Sequence, residues 1–498
     1  MIPKILTATV IGLDAELIEV ETDVANGLPA TIVVGLPDAA VQESRERVKS
    51  AIKHSGFSYP QTRVAINLAP ADLPKVGTQF DLPIAISILL ASEQCSFDPA
   101  GKLFIGELSL DGLLRPVPGV LAIAIAAQKA GITELFVPKE NALEASLVSI
   151  GVRPVEKLSD LLLHLIGTQQ LPTVSKAEVV KPEPIPVVDF ADVAGQEVAK
   201  RALEIASSGG HNLLLYGPPG SGKTLLAKAL SGILPPLATS EALEVTKIYS
   251  IAGRLPSGVM YERPLRNPHH TTSHVALVGG GSIPKPGEIT LAHRGILFLD
   301  EFPEFPRNVL EALRQPLEDG IVTVSRAKST LTFPAKFILV AAMNPCPCGY
   351  ASDNTKRCSC LPSQIIRYQK KISGPLLDRI DLHIEVPRLA YETMMAETER
   401  ESSRQVRKRV ELARAVQYKR FGKAKTNSEM SAPEVRKFCE SNDEAKTLLR
   451  EAAQKFQMSG RTIHRLLKVA RTIADLSQST TIEEKHLAEA LQYRVKSE

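Results

Sequence analysis

One stretch constrains this chain more than any other: Gly217-Pro-Pro-Gly-Ser-Gly-Lys-Thr224 satisfies the pattern GxxxxGK[ST]. Asn212-Leu-Leu-Leu-Tyr216 precedes it, short and apolar enough for a buried parallel strand. Leu225-Leu-Ala-Lys-Ala-Leu230, rich in strong helix formers, follows. A strand, a glycine turn and a helix N-terminus aim backbone N–H groups and the positive end of a helix dipole at one point, which cradles phosphates. The backbone at Gly217, Gly220, Ser221 and Gly222 supplies the expected cradle; Lys223 would reach the β- and γ-phosphates, and the Thr224 hydroxyl would hold Mg²⁺. The competing reading is a glycine-rich turn without a ligand. Motif and flanks agree with each other, so the expected ligand is ATP or a close relative.

A second motif points to hydrolysis. Gly295-Ile-Leu-Phe-Leu-Asp-Glu301 is an apolar run ending in two carboxylates, as for a central strand that delivers acids at its carboxyl end. It lies about 75 residues beyond the phosphate loop, a normal spacing within one nucleotide-binding core. Asp300 fits the partner of Mg²⁺, and Glu301 the group that orients the attacking water. A third apolar run, Lys336–Met343, ends at Asn344. If its strand lies between the other two, Asn344 can hydrogen-bond the γ-phosphate or the water; otherwise it is a turn residue before Pro345.

At 498 residues, two to four domains are expected. The net charge of +4 is too small to mark a nucleic-acid binder by itself. Asp14 and Glu16 interrupt the first apolar region, so no signal peptide is read there. The apolar runs Leu82–Ala91 and Val120–Ala127 fall short of the ~18 residues that span a bilayer, and a cytoplasmic protein without membrane contact is expected. Pro172, Pro182, Pro184 and Pro186 mark an extended linker over 168–188. It separates a mixed α/β region, 1–167, from a parallel-sheet core, 189–387; from 388 to 498 the pattern is helical.

Two CxC pairs, Cys346-Pro-Cys348 and Cys358-Ser-Cys360, can fold back to present four thiolates to Zn²⁺. A redox-labile thiol cluster and unligated cysteines are the alternatives. Cys95 and Cys439 lie far off and read as ordinary buried thiols. His269, His270 and His274 have no carboxylate or cysteine nearby at a ligand spacing, and read as loop histidines held by hydrogen bonds.

Local charge suggests a polyanion. Arg404, Arg407, Lys408, Arg409, Arg414, Lys419, Arg420, Lys423 and Lys425 are opposed only by Glu411, beside an apolar stripe, as in a basic amphipathic helix. Such a face neutralises phosphates, or it is a solvated face in a subunit contact. Val322–Phe333 reads as a hairpin with Arg326 and Lys328 at its tip.

With these residues in hand, the central region resembles an AAA+ ATPase of the magnesium-chelatase branch, and the whole chain resembles the YifB/ComM family. Asp192-Val-Ala-Gly-Gln-Glu197, Arg263–His270, Ser273–Gly281, Pro286–Leu291, Leu299–Phe305 and Glu483–Arg494 carry the likeness beside the phosphate loop. The resemblance implies an ATP-dependent homohexamer with sites at subunit interfaces, single-stranded or branched DNA as partner, and branch migration or helicase activity in natural transformation. It implies that Arg379 in Leu376-Leu-Asp-Arg-Ile-Asp381 is an arginine finger, with local pairing to Asp378 or Asp381 as the alternative. It implies a second sensor at Arg461, or at Arg465 one turn on, in a C-terminal helical lid. The N-terminal domain resembles the Lon-protease fold. In place of that fold's serine loop stands Pro74–Pro83, and Leu121 takes the lysine's place. Leucine cannot act as a base, and Thr78 has no evident activating partner, so no catalytic dyad is expected. Protein remodelling and metal insertion remain alternatives; the chelatase ATPase subunit lacks this N-terminal arrangement and the CxC pairs.

Overall fold

Period-two alternation shapes the first sheet. In β2 (Asp14–Ala25) Ile18, Val20 and Thr22 are buried while their neighbours are not, and in β4 (Arg63–Ala69) Val64, Ile66 and Leu68 repeat the pattern. These strands join β1 (Lys4–Ile11), β3 (Ala30–Val34), β5 (Lys102–Phe104), β8 (Glu134–Pro138) and β9 (Gly151–Val155) in the order β3-β4-β2-β1-β5-β8-β9, with β6 (Glu107–Leu108) and β7 (Leu114–Arg115) as a separate two-stranded ladder. β1 pairs antiparallel with β2, and β2 with β4; the other neighbours are parallel. Helices Asp81–Ala91 and Val120–Lys129 pack on the sheet; the first is apolar nearly all round and almost wholly buried, as such a helix must be.

The computed structural model describes residues 3–174, 186–256, 258–281, 284–326, 329–353, 355–395 and 400–494. They form two compact units that do not follow chain order: 1–180 with 239–260, and 181–238 with 261–498. The helix Thr239–Ile251 thus belongs to the first unit, where the backbone N–H of Gly119 donates to the Ser250 carbonyl at 3.1 Å and Lys247 pairs with Asp14 at 2.8 Å. Most of the proline-rich segment expected as a linker, 175–185, lies outside the described residues.

The second unit is built on β10 (Leu213–Tyr216), β11 (Leu265–Arg266), β14 (Ile296–Leu299), β17 (Ile338–Met343) and β18 (Leu382–Glu385), all parallel, in the order β11-β14-β17-β10-β18. Every residue of β14 and β17 is buried, as expected of strands covered on both faces. β17 lies between β10 and β14, so the phosphate loop, Asn344 and Asp300 leave the sheet at one edge. Two short ladders, β12 (Gly279–Gly280) with β13 (Lys285–Pro286) and β15 (Ile321–Arg326) with β16 (Ser329–Pro334), lie outside the sheet. Beyond β18 the described residues form helices and no further strand; Ser403–Phe421 and Gly460–Leu476 share the core of the sheet's helices.

Packing takes up five of the nine cations expected on a basic face over Arg404–Lys425, while Lys408, Lys419 and Lys423 stay exposed. Arg407 is buried and donates through Nε and Nη2 to the Gly232 carbonyl at 3.0 and 2.6 Å; Arg414 is buried and donates to the Ser207 carbonyl at 2.9 and 2.7 Å. Those carbonyls lie in the last turns of helices Lys223–Ile233 and Glu197–Gly209, where C=O groups lack helical partners and the dipole is negative. Arg409 pairs with Glu204 and Glu401, Arg420 with Asp475, and Lys425 with Glu434. These cations fasten the helix inward rather than offering it to phosphate.

Candidate active site

The phosphate loop is shaped by its glycines. Gly220 and Gly222 stand at φ +76° and +94°, and a Cβ on Gly217 would come within 2.1 Å of the Val386 carbonyl oxygen. Lys223 is buried, donating to the Gly217 and Pro218 carbonyls at 2.8 Å each and to Asn344 Oδ1 at 3.3 Å. Desolvation lowers its pKa, opposed by the charge of Asp300. Ser221 Oγ is buried in this loop with no hydrogen-bond partner among the described residues. An orphaned hydroxyl beside a buried ammonium and a run of loop backbone is what a phosphate fits.

Thr224 Oγ1 donates to Asp300 Oδ2 at 2.9 Å, which brings the two expected Mg²⁺ groups together. Asp300 Oδ1 in turn accepts from the Glu301 backbone N–H at 2.9 Å, a turn that holds Glu301 at φ +51°, a conformation seldom adopted outside glycine. Glu301 Oε2 stands 3.0 Å from His270 Nδ1. The His270 ring lies tilted against His269, with centroids 4.1 Å apart, and meets the Phe305 ring edge-on. The carboxylate that sequence spacing did not offer to these histidines is therefore Glu301. β11 pairs parallel with β14, so the loop leaving β11 arrives where Glu301 leaves β14. Only strand adjacency carries that signal.

The two predicted arginines meet at one carboxylate that no motif marked. Arg379 binds Glu318 through Nη2 and the Pro375 carbonyl through Nη1, the latter at 2.6 Å; Arg461 Nη2 lies 2.7 Å from Glu318 Oε1. Both guanidiniums hold the Glu318 carboxyl below the usual carboxylate range. Arg379 Nε is buried without a partner among the described residues, and its side chain is 11% exposed. Asp381 serves instead the buried His211, at 3.3 Å, and stands 3.9 Å from Arg465.

The four cysteines come together. Cys346, Cys348 and Cys358 have Sγ atoms 3.4, 3.7 and 3.6 Å apart, and all four sulfurs lie within 4.8 Å of one another. Tetrahedral Zn–S bonds of about 2.3 Å place sulfurs about 3.8 Å apart, so the donor set fits the metal. Backbone N–H groups of Tyr350 and Ser359 pull the Cys348 pKa down, while backbone N–H groups of Cys348 and Cys360 point at the sulfurs of Cys360 and Cys358. The loop packs on the phosphate loop: a Cβ on Gly349 would stand 2.7 Å from the Pro219 ring. Cys95 and Cys439 are buried elsewhere, their thiol pKa values raised by burial.

In the first unit, Leu121 is fully buried, and Thr78 Oγ1 donates to Glu107 Oε2 at 2.5 Å. Sequence alone gave this hydroxyl no partner; the structure gives it a carboxylate. The buried Lys75 is bound to the Pro70 carbonyl. Lys328 and the side chain of Arg326 lie outside the described residues.

Comparison with known proteins matches this arrangement. A family described as magnesium chelatase, subunit ChlI, matches residues 189–394, the C-terminal part of that subunit matches 400–494, and a further description of subunit ChlI matches 20–141. The last match removes the N-terminal region as a ground for separating this chain from the chelatase subunit; the CxC pairs remain. The magnesium-chelatase subunit ChlI of Olisthodiscus luteus is 29% identical over 176 residues, 32% of this chain and 51% of its own length. Competence protein ComM of Haemophilus influenzae is 47% identical over 97% of this chain and 95% of its own. The uncharacterized protein YifB of Escherichia coli is 45% identical over 98% and 96%. With family matches in all three regions and two near-full-length relatives, this chain belongs to the YifB/ComM family of magnesium-chelatase-like proteins.

Proposed function

We propose that this protein is an ATP-hydrolysing hexameric motor that moves branched DNA. The observation that carries the hydrolysis is the meeting of Lys223, Thr224, Asp300, Glu301 and Asn344 at one edge of one sheet. The near-full-length likeness to a competence protein supports DNA as the object of the work.

Lys223 leaves its loop carbonyls to hold the β- and γ-phosphates, where Ser221 Oγ gains the partner it lacks. Bound through Thr224 and Asp300, Mg²⁺ would neutralise charge on the phosphates. Glu301 turns from His270 to orient water and take its proton; Asn344 holds the water or the transferred phosphoryl group. Arg379, supplied by the neighbouring subunit, balances the charge that develops. Arg461 reports lid position, and the hairpin β15–β16 is the moving contact with DNA. The N-terminal unit is a Lon-protease-like scaffold without peptidase activity; casein cleavage driven by ATP would overturn that assignment.

The motor reading is tested on a labelled four-way junction with ATP and Mg²⁺. ATP-dependent strand movement is expected, together with ATPase activity stimulated by single-stranded or forked DNA. If there is neither binding at low salt nor movement, the reading fails and protein remodelling or metal insertion takes its place. The cysteine cluster is expected to hold about one zinc per subunit after chelator-free, anaerobic purification. Metal-free protein of full activity would sink that assignment.

A further inference from the structure

The helix Pro362–Gln369 starts two residues past Cys360 and faces two ways. Inward, Tyr368 is buried, its phenol pKa pushed up to about 12 by burial against the pull of the Asn344 backbone, and Gln369 Nε2 donates to the Pro345 carbonyl, next to Asn344, at 3.5 Å. Outward stand Arg367 in the last turn and Lys370 at its C-terminal cap; Lys371, just beyond, lies over the Tyr368 ring at 5.5 Å. With Arg307 they border a cavity of about 710 Å³, a volume normal for a ligand site, whose apolar wall includes Phe305 and the half-exposed Ile366.

The charge there is unbalanced. Lys371 pairs with Glu304 at 2.8 Å, but Arg307, Arg367 and Lys370 are exposed and their side chains make no hydrogen bond or ion pair among the described residues. Like charges brought to one cavity repel unless an anion joins them. Cations beside an apolar wall match a chain of phosphates joined by sugars that carry flat apolar-faced bases. We propose that this cavity grips the phosphodiester backbone of a DNA strand and that the helix Pro362–Gln369 passes its occupancy to Asn344. The grip rests on the DNA-motor reading and adds to it a second contact, distinct from the hairpin β15–β16, wired to the hydrolytic edge.

The test uses the full-length hexamer carrying R307Q, R367Q and K370Q, read by anisotropy of a labelled single-stranded oligonucleotide across a salt series and by ATPase with and without DNA. The dissociation constant should rise about tenfold or more at low salt, and the salt slope should flatten by about 2, from three lost phosphates at ~0.7 each on a single strand. Basal ATPase should stay within about twofold, because exposed charges away from the nucleotide are replaced, while DNA stimulation is lost. If wild-type protein binds DNA and the variant shows the same affinity and slope, the inference falls and the motor reading stands. If wild-type protein binds no DNA, the motor reading itself has failed. Loss of the hexamer with unchanged affinity per subunit would assign these cations to a subunit contact and overturn the inference. Should the triple variant not fold, R367E with K370E gives the same comparison.

Discussion

Glu301→Gln should bind ATP with near-normal affinity and turn it over about 10²-fold or more slowly. The cradle is built by the backbone of 217–222, Lys223 and the Thr224–Asp300 pair, none of which the substitution touches. What is lost is a carboxylate able to take the proton of the attacking water. The amide still reaches His270, so the loop leaving β11 keeps its contact and the fold is undisturbed. Turnover near that of the unaltered protein would remove Glu301 from the reaction. Weakened ATP binding would instead make it a ligand-holding group.

Arg379→Ala should be equally severe, by about 10³-fold in turnover, since an arginine facing the transferred phosphoryl group is worth that much or more. In the single chain its guanidinium is bound to Glu318 beside Arg461. In the proposed ring, this ion pair would have to break before the arginine can serve a neighbour's site. Mixing decides the geometry. Hexamers assembled from equal amounts of R379A and E301Q subunits contain interfaces that combine an intact Glu301 with an intact Arg379. Activity should reappear on mixing two nearly inactive proteins. No recovery, with mixed rings shown by native mass spectrometry, would place Arg379 at its own subunit's nucleotide or in a structural role.

What could be read from the sequence follows how far each feature reaches along the chain. The phosphate loop works within eight residues, and its strand, glycines and helix are local, so sequence and coordinates agree there. The cysteine pairs close a short loop, and their sulfurs do converge. The contact of His270 with Glu301 needs β11 to lie beside β14, which no local pattern announces. Glu318 likewise gathers two arginines 61 and 143 residues away, and nothing around it marks the role. At five of its nine cations the basic helix misled for another reason: composition counts cations but not what they face. Arg407 and Arg414 look like phosphate ligands until helix ends with unpartnered carbonyls are found against them.

The assignment of Thr239–Ile251 to the first unit bears on how the protein is made. That helix buries Ala242, Val245, Ile248 and Tyr249 within a unit whose other residues end at 180, yet it is encoded after the phosphate loop. On the ribosome the first unit cannot complete its core until residue 260 has emerged, by which time the ATPase unit is already partly synthesised. No single cut separates the two. A fragment starting at 189 carries an orphaned apolar helix, and one ending at 180 lacks a piece of its own interior.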